Sequence, residues 1–369
     1  MDERWYYYCD NCQRSEFLGD ELRGTGEFTQ LAEERIALAG KEGAYAASAK
    51  LLKRLGVVAV AGSTVRAVCV RLGRRARQML DHAAAQQHVS NVAVEEHSER
   101  VAIGVDGTML GRVDPQHRKR QSRKPKRKVC GKGRLHNFFH EVKTLVIFNF
   151  DGKGEAIRKT FQATQERVED FREKVILEAQ RRGAEAAKVL VFLGDGAPWI
   201  WKTAKELFPK AIQILDWYHA VEHLWAAGRT RFGQHEKELW AWVEQRKAEL
   251  WNGQVERVIE ALRVLSKEVG TPNPELSQAA RERDPRWIAY RTVGYFEENR
   301  GRMDYPRFRT ANLPIGSGVV ESSCKHVVGD RMKRTGMRWD EEGGDDLLAL
   351  RCLDLSDRWD SLWPLKATA

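Results

Sequence analysis

Val101-Ala102-Ile103-Gly104-Val105-Asp106-Gly107-Thr108 is matched in design by Val189-Leu190-Val191-Phe192-Leu193-Gly194-Asp195-Gly196-Ala197. Each is a short apolar run, rich in β-branched residues, that ends in Asp followed at once by Gly. Continuous apolar runs of this length predict strands covered on both faces. An aspartate closing such a strand is held at the rim of the sheet. The glycine lets the chain turn away and lets a ligand approach the backbone closely. Asp-Gly also marks ordinary tight turns, so one copy alone says little. Two copies are the beginning of a divalent-cation site.

Working outward, Val142–Phe150 predicts a further strand, Gln165–Arg182 a helix, Trp199–Leu207 a helix opened by Pro198, and Ala211–Leu215 a short strand. Strands alternating with helices in this way describe a mixed α/β sheet. From Trp217 to Asn312 the pattern becomes all-helical. Val255, Val258, Ile259, Leu262 and Leu265 recur at helical spacing, and Trp225, Trp240, Trp242, Trp251 and Trp287 fall in the same stretch. Aromatic residues at such positions build a core, so this stretch is expected to be a helical domain inserted into the α/β unit.

Ahead of the first strand, helices are expected over Leu31–Ala39, Tyr45–Leu55 and from Ser63-Thr64 to about Ala84. The third carries Arg66, Arg71, Arg74, Arg75 and Arg77. Short helix, turn and basic helix is the pattern of a helix-turn-helix, whose last helix can enter a major groove. A plain bundle with a solvated basic face has the same pattern. Nearer the N-terminus, Cys9-Asp10-Asn11-Cys12 has the spacing of a zinc knuckle. Structural zinc needs four ligands, and the next cysteines are Cys69 and Cys130, so Zn²⁺ at Cys9 and Cys12 is doubtful and two free thiols are the plain alternative.

Across 369 residues, 62 Lys+Arg stand against 52 Asp+Glu, a formal charge of +10 that favours a polyanionic partner. Much of it is clustered. His117–Arg134 holds Arg118, Lys119, Arg120, Arg123, Lys124, Lys126, Arg127, Lys128, Lys132 and Arg134 with almost no apolar residue. Such a block cannot bury a core, and is expected to be the loop of a hairpin, used for phosphate binding or simply solvated. No run approaches the ~18 uninterrupted apolar residues of a membrane helix. Six cysteines with no secretory leader lead one to expect reduced thiols and a cytoplasmic location.

A third acid, Glu321, opens a predicted helix, Val319–Val328, which bears Lys325 and is followed by Arg331, Lys333, Arg334 and Arg338. In isolation an acid leading a helix is a dipole partner. Beside two strand-end aspartates it would suit two-metal phosphoryl chemistry, because hard oxygen ligands hold Mg²⁺ and leave positions open for water and phosphate. The neighbouring lysines and arginines would hold a nucleic-acid backbone.

Five runs together resemble the DDE transposases of bacterial insertion sequences, nearest the Kra-type group. They are Asp106-Gly107-Thr108, Gly194–Trp201, Phe208–Ala211 with Ile214–Leu224, Leu313–Ser322, and Arg334–Trp339. The resemblance covers about Leu31 to Trp363. It implies an RNase H-like catalytic core, with Asp106, Asp195 and Glu321 as catalytic and metal-binding triad for Mg²⁺ or Mn²⁺. It gives Asp216 and His219 an accessory role, as the Asp-x-x-His of such families. It implies cleavage at transposon-end inverted repeats, strand transfer into target DNA, a homodimer or higher assembly on DNA, and a place at the bacterial nucleoid. Arg66, Arg71, Arg74, Arg118, Lys119, Arg120, Lys124, Lys126, Arg127, Lys325, Arg331, Lys333, Arg334 and Arg338 are the expected DNA contacts.

The expected organisation is a partial zinc-ribbon-like segment over residues 1–30 and a helix-turn-helix-like region over 31–97. The catalytic domain would span 98–216 and 313–363, interrupted by a helical insertion over 217–312. Two alternatives remain. His219-Ala220-Val221-Glu222-His223 matches the His-x-x-Glu-His of inverted zincins, whose histidines and glutamate share a helix face. A transposase remnant that binds DNA without cutting it would share every other feature.

Overall fold

The computed structural model describes residues 28–85, 98–113, 138–233, 235–316 and 318–363, together with two short strands, β1 (Tyr6–Cys9) and β2 (Arg14–Phe17), which pair antiparallel. Cys12, the Cys9 side chain and the His117–Arg134 block, with Arg118, Lys119, Arg120, Lys124, Lys126 and Arg127, lie outside the described residues.

Along the chain follow α1 (Gln30–Glu42), α2 (Tyr45–Arg54), α3 (Gly62–Ala85), β3 (Arg100–Arg112), β4 (Phe138–Phe150) and β5 (Ala156–Thr164). Then come α4 (Val168–Arg181), β6 (Val189–Gly194), α5 (Pro198–Leu207) and β7 (Ile212–Leu215). An all-helical stretch has α6 (Trp217–Phe232), α7 (Glu236–Trp251), α8 (Val255–Val269), α9 (Gln278–Arg281), α10 (Pro285–Asn299) and α11 (Tyr305–Thr310). The chain closes with α12 (Gly318–Ser323), a wide π-type turn over Cys324–Gly329, α13 (Asp330–Met332) and α14 (Glu341–Leu355). Among the described residues no helix is long and apolar enough to cross a membrane.

The chain divides into two compact units. One holds Met1–His82, Leu110–His140 and Val327–Ala369, the other Ala83–Met109 and Glu141–His326. This partition differs from the one the sequence suggests. The helical stretch 217–312 shares a unit with the sheet, because Tyr295 of α10 and Tyr305 of α11 reach strand-end carbonyls: Tyr295 Oη donates to Asp195 O at 2.7 Å and Tyr305 Oη to Leu215 O at 3.1 Å. Residues 327–363 share a unit with the N-terminal helices and with the far ends of β3 and β4, Trp339 N–H donating to Gly111 O at 3.1 Å.

In that first unit α14 is buried around most of its circumference, with Leu347, Leu348, Leu350 and Leu353 in the core beside Asp345, Asp346 and Arg351. A helix enclosed on all sides has no polar face, hence no 3.6-residue period to give it away in the sequence. Its buried charges have partners: Arg77 Nε lies 3.4 Å from Asp346 Oδ1, and Arg351 Nε donates to Val327 O at 2.9 Å.

The second unit is built on a five-stranded mixed sheet of order β5-β4-β3-β6-β7. β4 and β5 pair antiparallel, whereas β3, β6 and β7 run parallel. Val101, Ala102, Ile103, Val105, Val191, Phe192 and Leu193 are buried, as apolar runs in a two-sided sheet must be. Strand β5 escapes the sequence reading because its first half, Ala156–Lys159, is largely exposed at the sheet edge and carries Arg158 and Lys159. Only Thr160–Thr164 is buried.

Candidate active site at the strand ends

Sheet register assembles the site. Val105 pairs with Gly194 and Gly194 with Leu215, so the next residues along three neighbouring parallel strands are Asp106, Asp195 and Asp216. Asp216 continues the ladder by donating its N–H to Gly194 O at 2.9 Å. Asp195 and Asp216 follow directly on the ends of β6 and β7, whereas Asp106, expected to close its strand, lies inside β3, which runs on to Arg112; the three stand abreast where the parallel pairing ends, the carboxyl side at which open α/β sheets bind their ligands. A fourth acid, Glu321, comes from α12. That helix sits close on the sheet because Gly104 of β3 leaves room for Val320: a Cβ on Gly104 would stand 2.3 Å from Val320 Cγ2.

Each acid is set differently. Asp106 is 8% exposed and accepts from Gly107 N–H at 2.6 Å. Burial raises its proton affinity; the Cys324 thiol and the positive His219 pull it back, and Asp195 pushes it up again. Asp195 is half-buried and accepts from Ala197 N–H at 2.8 Å in a tight Asx-type turn. Gly196 follows at φ +105°, and a Cβ there would strike the Tyr295 ring at 2.4 Å. Asp216 is 1% exposed and caps α6, its Oδ1 accepting from His219 N–H at 3.0 Å. Its Oδ2 is buried with no hydrogen-bond partner among the described residues. Glu321 is exposed, and partial burial together with Asp216, Glu222 and Asp106 raises its proton affinity against the pull of His219.

Two histidines one helical turn apart on α6 behave in opposite ways. Burial works against a charge on His219, but Asp216, whose Oδ1 lies 3.3 Å from Nδ1, together with Asp106 and Asp195, lifts its pKa to about 9. His223 stacks on Tyr295 with ring centroids 3.8 Å apart, and burial, His219 and Arg291 lower its pKa to about 4.

His219 supports the fold below its unfolded value of about 6.5, and that support is lost as pH rises through about 9. For His223 the support is present above about 6.5 and is lost as pH falls toward about 4. Denaturant unfolding at pH 7 and pH 4 should therefore cost the wild type on the order of 2–3 kcal/mol more than His223→Phe, which has no proton to take up. Equal losses in the two proteins would show that His223 is not held neutral by the fold.

The remaining expected residues fall into two groups. Lys325, Lys333, Arg334 and Arg338 are exposed, although Arg334 also braces the carbonyl oxygens of Asp330 and Glu42 at 2.6 and 3.0 Å. Arg66 and Arg74 are exposed and pair with Asp340 at 3.3 Å and Glu342 at 2.8 Å, surface pairs that a phosphate could displace. Two of the expected DNA contacts are corrected. Arg331 is 1% exposed, donates to Gly40 O at 3.1 Å and lies between the rings of Tyr45 and Trp339. Arg71 pairs with Glu33, a fully buried carboxylate, and swinging the guanidinium out to DNA would take that charge from beside it. Both arginines hold the fold.

Thr144, Tyr295 and Cys324 belong to the site and were not singled out from the sequence. Cys324 had a usable signal, standing three residues after Glu321, where a helix puts both on one face. Tyr295 had none, since it lies 100 residues from the carbonyl it binds. Beside Asp195 a cavity of about 570 Å³ opens, lined by Pro198, His223, Tyr290, Arg291, Tyr295 and Glu298.

The donor set is hard oxygen, partly desolvated and crowded with like charge, which suits Mg²⁺ or Mn²⁺. The unpartnered Oδ2 of Asp216 points to the same deficit of positive charge. As they stand, no three His, Cys, Asp or Glu donors among the described residues are gathered tightly enough to enclose an ion.

The chain matches no family model and no curated protein.

Proposed function

We propose that the protein is a metal-dependent DNA transposase whose sheet and flanking helices form an RNase H-like catalytic fold. The observation that carries this is the register row Val105–Gly194–Leu215, which sets Asp106, Asp195 and Asp216 abreast with Glu321 on a helix packed over them. Asp106, Asp195 and Glu321 are the residues to hold a divalent pair. Bound there, the ions would activate a nucleophile and steady the attacking and leaving oxygens of an in-line displacement at phosphorus. The chain's own part is to hold Asp106 inside β3 and Asp195 and Asp216 just past β6 and β7 in one register row, and to place the positive His219 among them. Cutting at a transposon end and joining the freed 3′-hydroxyl to target DNA are both such displacements. The helices α1–α3 and the exposed Lys325, Lys333, Arg334 and Arg338 would grip the duplex, and a homodimer or larger assembly on DNA would bring two ends together.

The inverted-zincin alternative fares worse. The His223 ring lies flat against Tyr295 and His219 faces three aspartates, so the pair is engaged one turn apart with different neighbours. The row of Asp106, Asp195 and Asp216 also has no use in that chemistry.

The test is direct. The DNA on both sides of the gene is sequenced for inverted repeats, and labelled DNA spanning each flank is incubated with the protein and Mg²⁺ or Mn²⁺ and the products resolved on a denaturing gel. Cleavage at the repeat boundary leaving a 3′-hydroxyl is expected. Metal-dependent peptide cleavage, or DNA binding with no cleavage under either cation, would sink the proposal. Binding should also depend on salt. Neutralising Lys325, Lys333 and Arg338 together is expected to weaken binding to all sequences alike. The slope of log K against log salt should flatten by about one unit for each phosphate no longer neutralised. An effect confined to one DNA sequence would mean that these side chains read bases.

A further inference from the structure

Away from the acids, the unit that holds α1–α3 and α14 contains a buried charge that no carboxylate balances. Arg331 is 1% exposed. Its Nε donates to Gly40 O at 3.1 Å, and its Nη1 reaches Met337 Sδ, a weak acceptor, at 3.2 Å. Among the described residues its Nη2 has no hydrogen-bond partner, and no Asp or Glu pairs with the guanidinium. The rings of Tyr45 and Trp339 hold it from two sides, at 4.8 and 5.0 Å. Burial, Arg351 and Arg334 work against its charge, and the Tyr45 hydroxyl and Cys69 thiol that would favour it are themselves kept protonated by burial. A desolvated charge with no counter-charge is costly. The same side chain lines a cavity of about 330 Å³, as do the exposed Arg66 and Arg338, against a single carboxylate, Asp340. That carboxylate is engaged elsewhere, Oδ1 accepting from Gly343 N–H at 2.8 Å and Oδ2 lying 3.3 Å from Arg66.

We propose that this cavity is a phosphate-binding site, with Arg331 as its floor and Arg66 and Arg338 as its rim. A phosphate oxygen at Nη2 would supply the missing counter-charge through a charge-assisted hydrogen bond. Arginine fits such a floor, because its guanidinium keeps its proton when buried and presents its donors in a rigid fork. The two rings and Gly40 O already fix that fork, so little freedom is lost when the anion arrives. The volume admits a tetrahedral oxyanion with several waters, each occupying about 30 Å³. Arg331 does not have to leave the fold to take part: the phosphate comes to it. That phosphate is either a free anion or one group of a DNA backbone lying across the mouth, and the test separates the two. The inference rests on the cavity alone and not on the transposase proposal. If the rings and one carbonyl were all the compensation the charge needs, the cavity would have no preference for phosphate, and the two accounts separate experimentally.

Thermal unfolding and titration calorimetry are run with inorganic phosphate against chloride at equal ionic strength. The wild type is expected to bind phosphate and to gain melting temperature saturably with it. Val70→Phe fills the cavity from α3 without changing any charge, and Arg331→Met removes the guanidinium while keeping an unbranched chain. Each is expected to weaken phosphate binding by about tenfold or more, the scale of one hydrogen bond to a charged group. Arg66→Gln and Arg338→Gln, at the exposed rim, should each weaken it by about two- to fivefold. Arg54→Gln, an exposed arginine of the same unit that does not line the cavity, controls for net charge and should leave phosphate binding as it is. A wild type stabilised no more by phosphate than by chloride, or wild-type phosphate binding in folded Val70→Phe, would overturn the proposal. Should neither core variant fold, the doubly substituted Arg66→Gln, Arg338→Gln protein decides, and unchanged phosphate binding in it would equally overturn the site. DNA affinity of Val70→Phe in phosphate-free buffer assigns the source. A loss places a backbone phosphate in the cavity, an unchanged affinity leaves it to the free anion, and the site stands in both cases. A wild type that binds phosphate but cleaves no DNA removes the transposase proposal and keeps this one.

Discussion

Asp195→Asn is expected to lower metal-dependent strand cleavage by about a thousandfold or more while DNA affinity stays within a factor of two. The substitution preserves size and can still accept from Ala197 N–H, so the tight turn survives. It removes the charge that the ions require, and such ions contribute several kcal/mol of transition-state stabilisation, each 1.36 kcal/mol being tenfold in rate. On the proposed reading DNA affinity rests on basic surfaces elsewhere, and it should not follow. Asp106→Asn should behave alike. His223→Ala makes the contrast: its ring packs on Tyr295 and is neutral, so its removal should cost less than about tenfold, the scale of a positioning defect and far from the loss of a ligand. Cleavage on gels and filter binding with the same end DNA compare all three. Full activity in Asp195→Asn would remove the carboxylate row from the mechanism, and total inactivity of a folded His223→Ala would revive the zinc alternative.

Gly104→Ala is expected to destabilise the protein by about 1–3 kcal/mol, the usual cost of forcing an extra carbon into a packed core. The new Cβ would stand 2.3 Å from Val320 Cγ2 and 3.0 Å from Val146 Cγ1. Relief has to come from α12, the short helix bearing Glu321, because Val146 lies inside the sheet on β4. Catalysis should therefore fall along with stability. Val320→Ala placed in the same chain removes the obstructing methyl groups, so the double variant should regain part of both losses, a coupling that contacting residues show and distant ones do not. Strict additivity in urea unfolding would mean that Val320 and Gly104 do not share this space.

The site was unevenly legible in the sequence. The two Asp-Gly runs stood out because a buried strand must be apolar along its whole length, so a charge at its end is conspicuous. The helices α1, α2 and α3 and the helical stretch from Trp217 were legible for a similar reason, each having a one-sided apolar period or a capping residue. Glu321 drew notice only by association with the aspartates. Asp216 was assigned through a resemblance, whereas its place in the row follows from the pairing of Gly194 with Leu215, a fact of three-dimensional register. Arg331 misled because its neighbours Lys333, Arg334 and Arg338 are exposed, and a linear pattern does not separate a buried guanidinium from a solvated one. Strand β5 and helix α14 failed at opposite extremes, one too exposed and the other too enclosed to show a period.

The alignment of Asp106, Asp195 and Asp216 is made by backbone hydrogen bonds, and backbone bonds are indifferent to which apolar side chain occupies a strand. Val for Ile, or Leu for Phe, along β3, β6 and β7 leaves the three carboxylates abreast. A single residue inserted or deleted inside β6 does not: side chains alternate between faces, so Asp195 would leave the row and point to the opposite side of the sheet. The site is therefore guarded by counting more than by chemistry. Drift in composition across these strands is cheap, whereas a frame-preserving three-nucleotide insertion or deletion between Val189 and Gly194 would break the row.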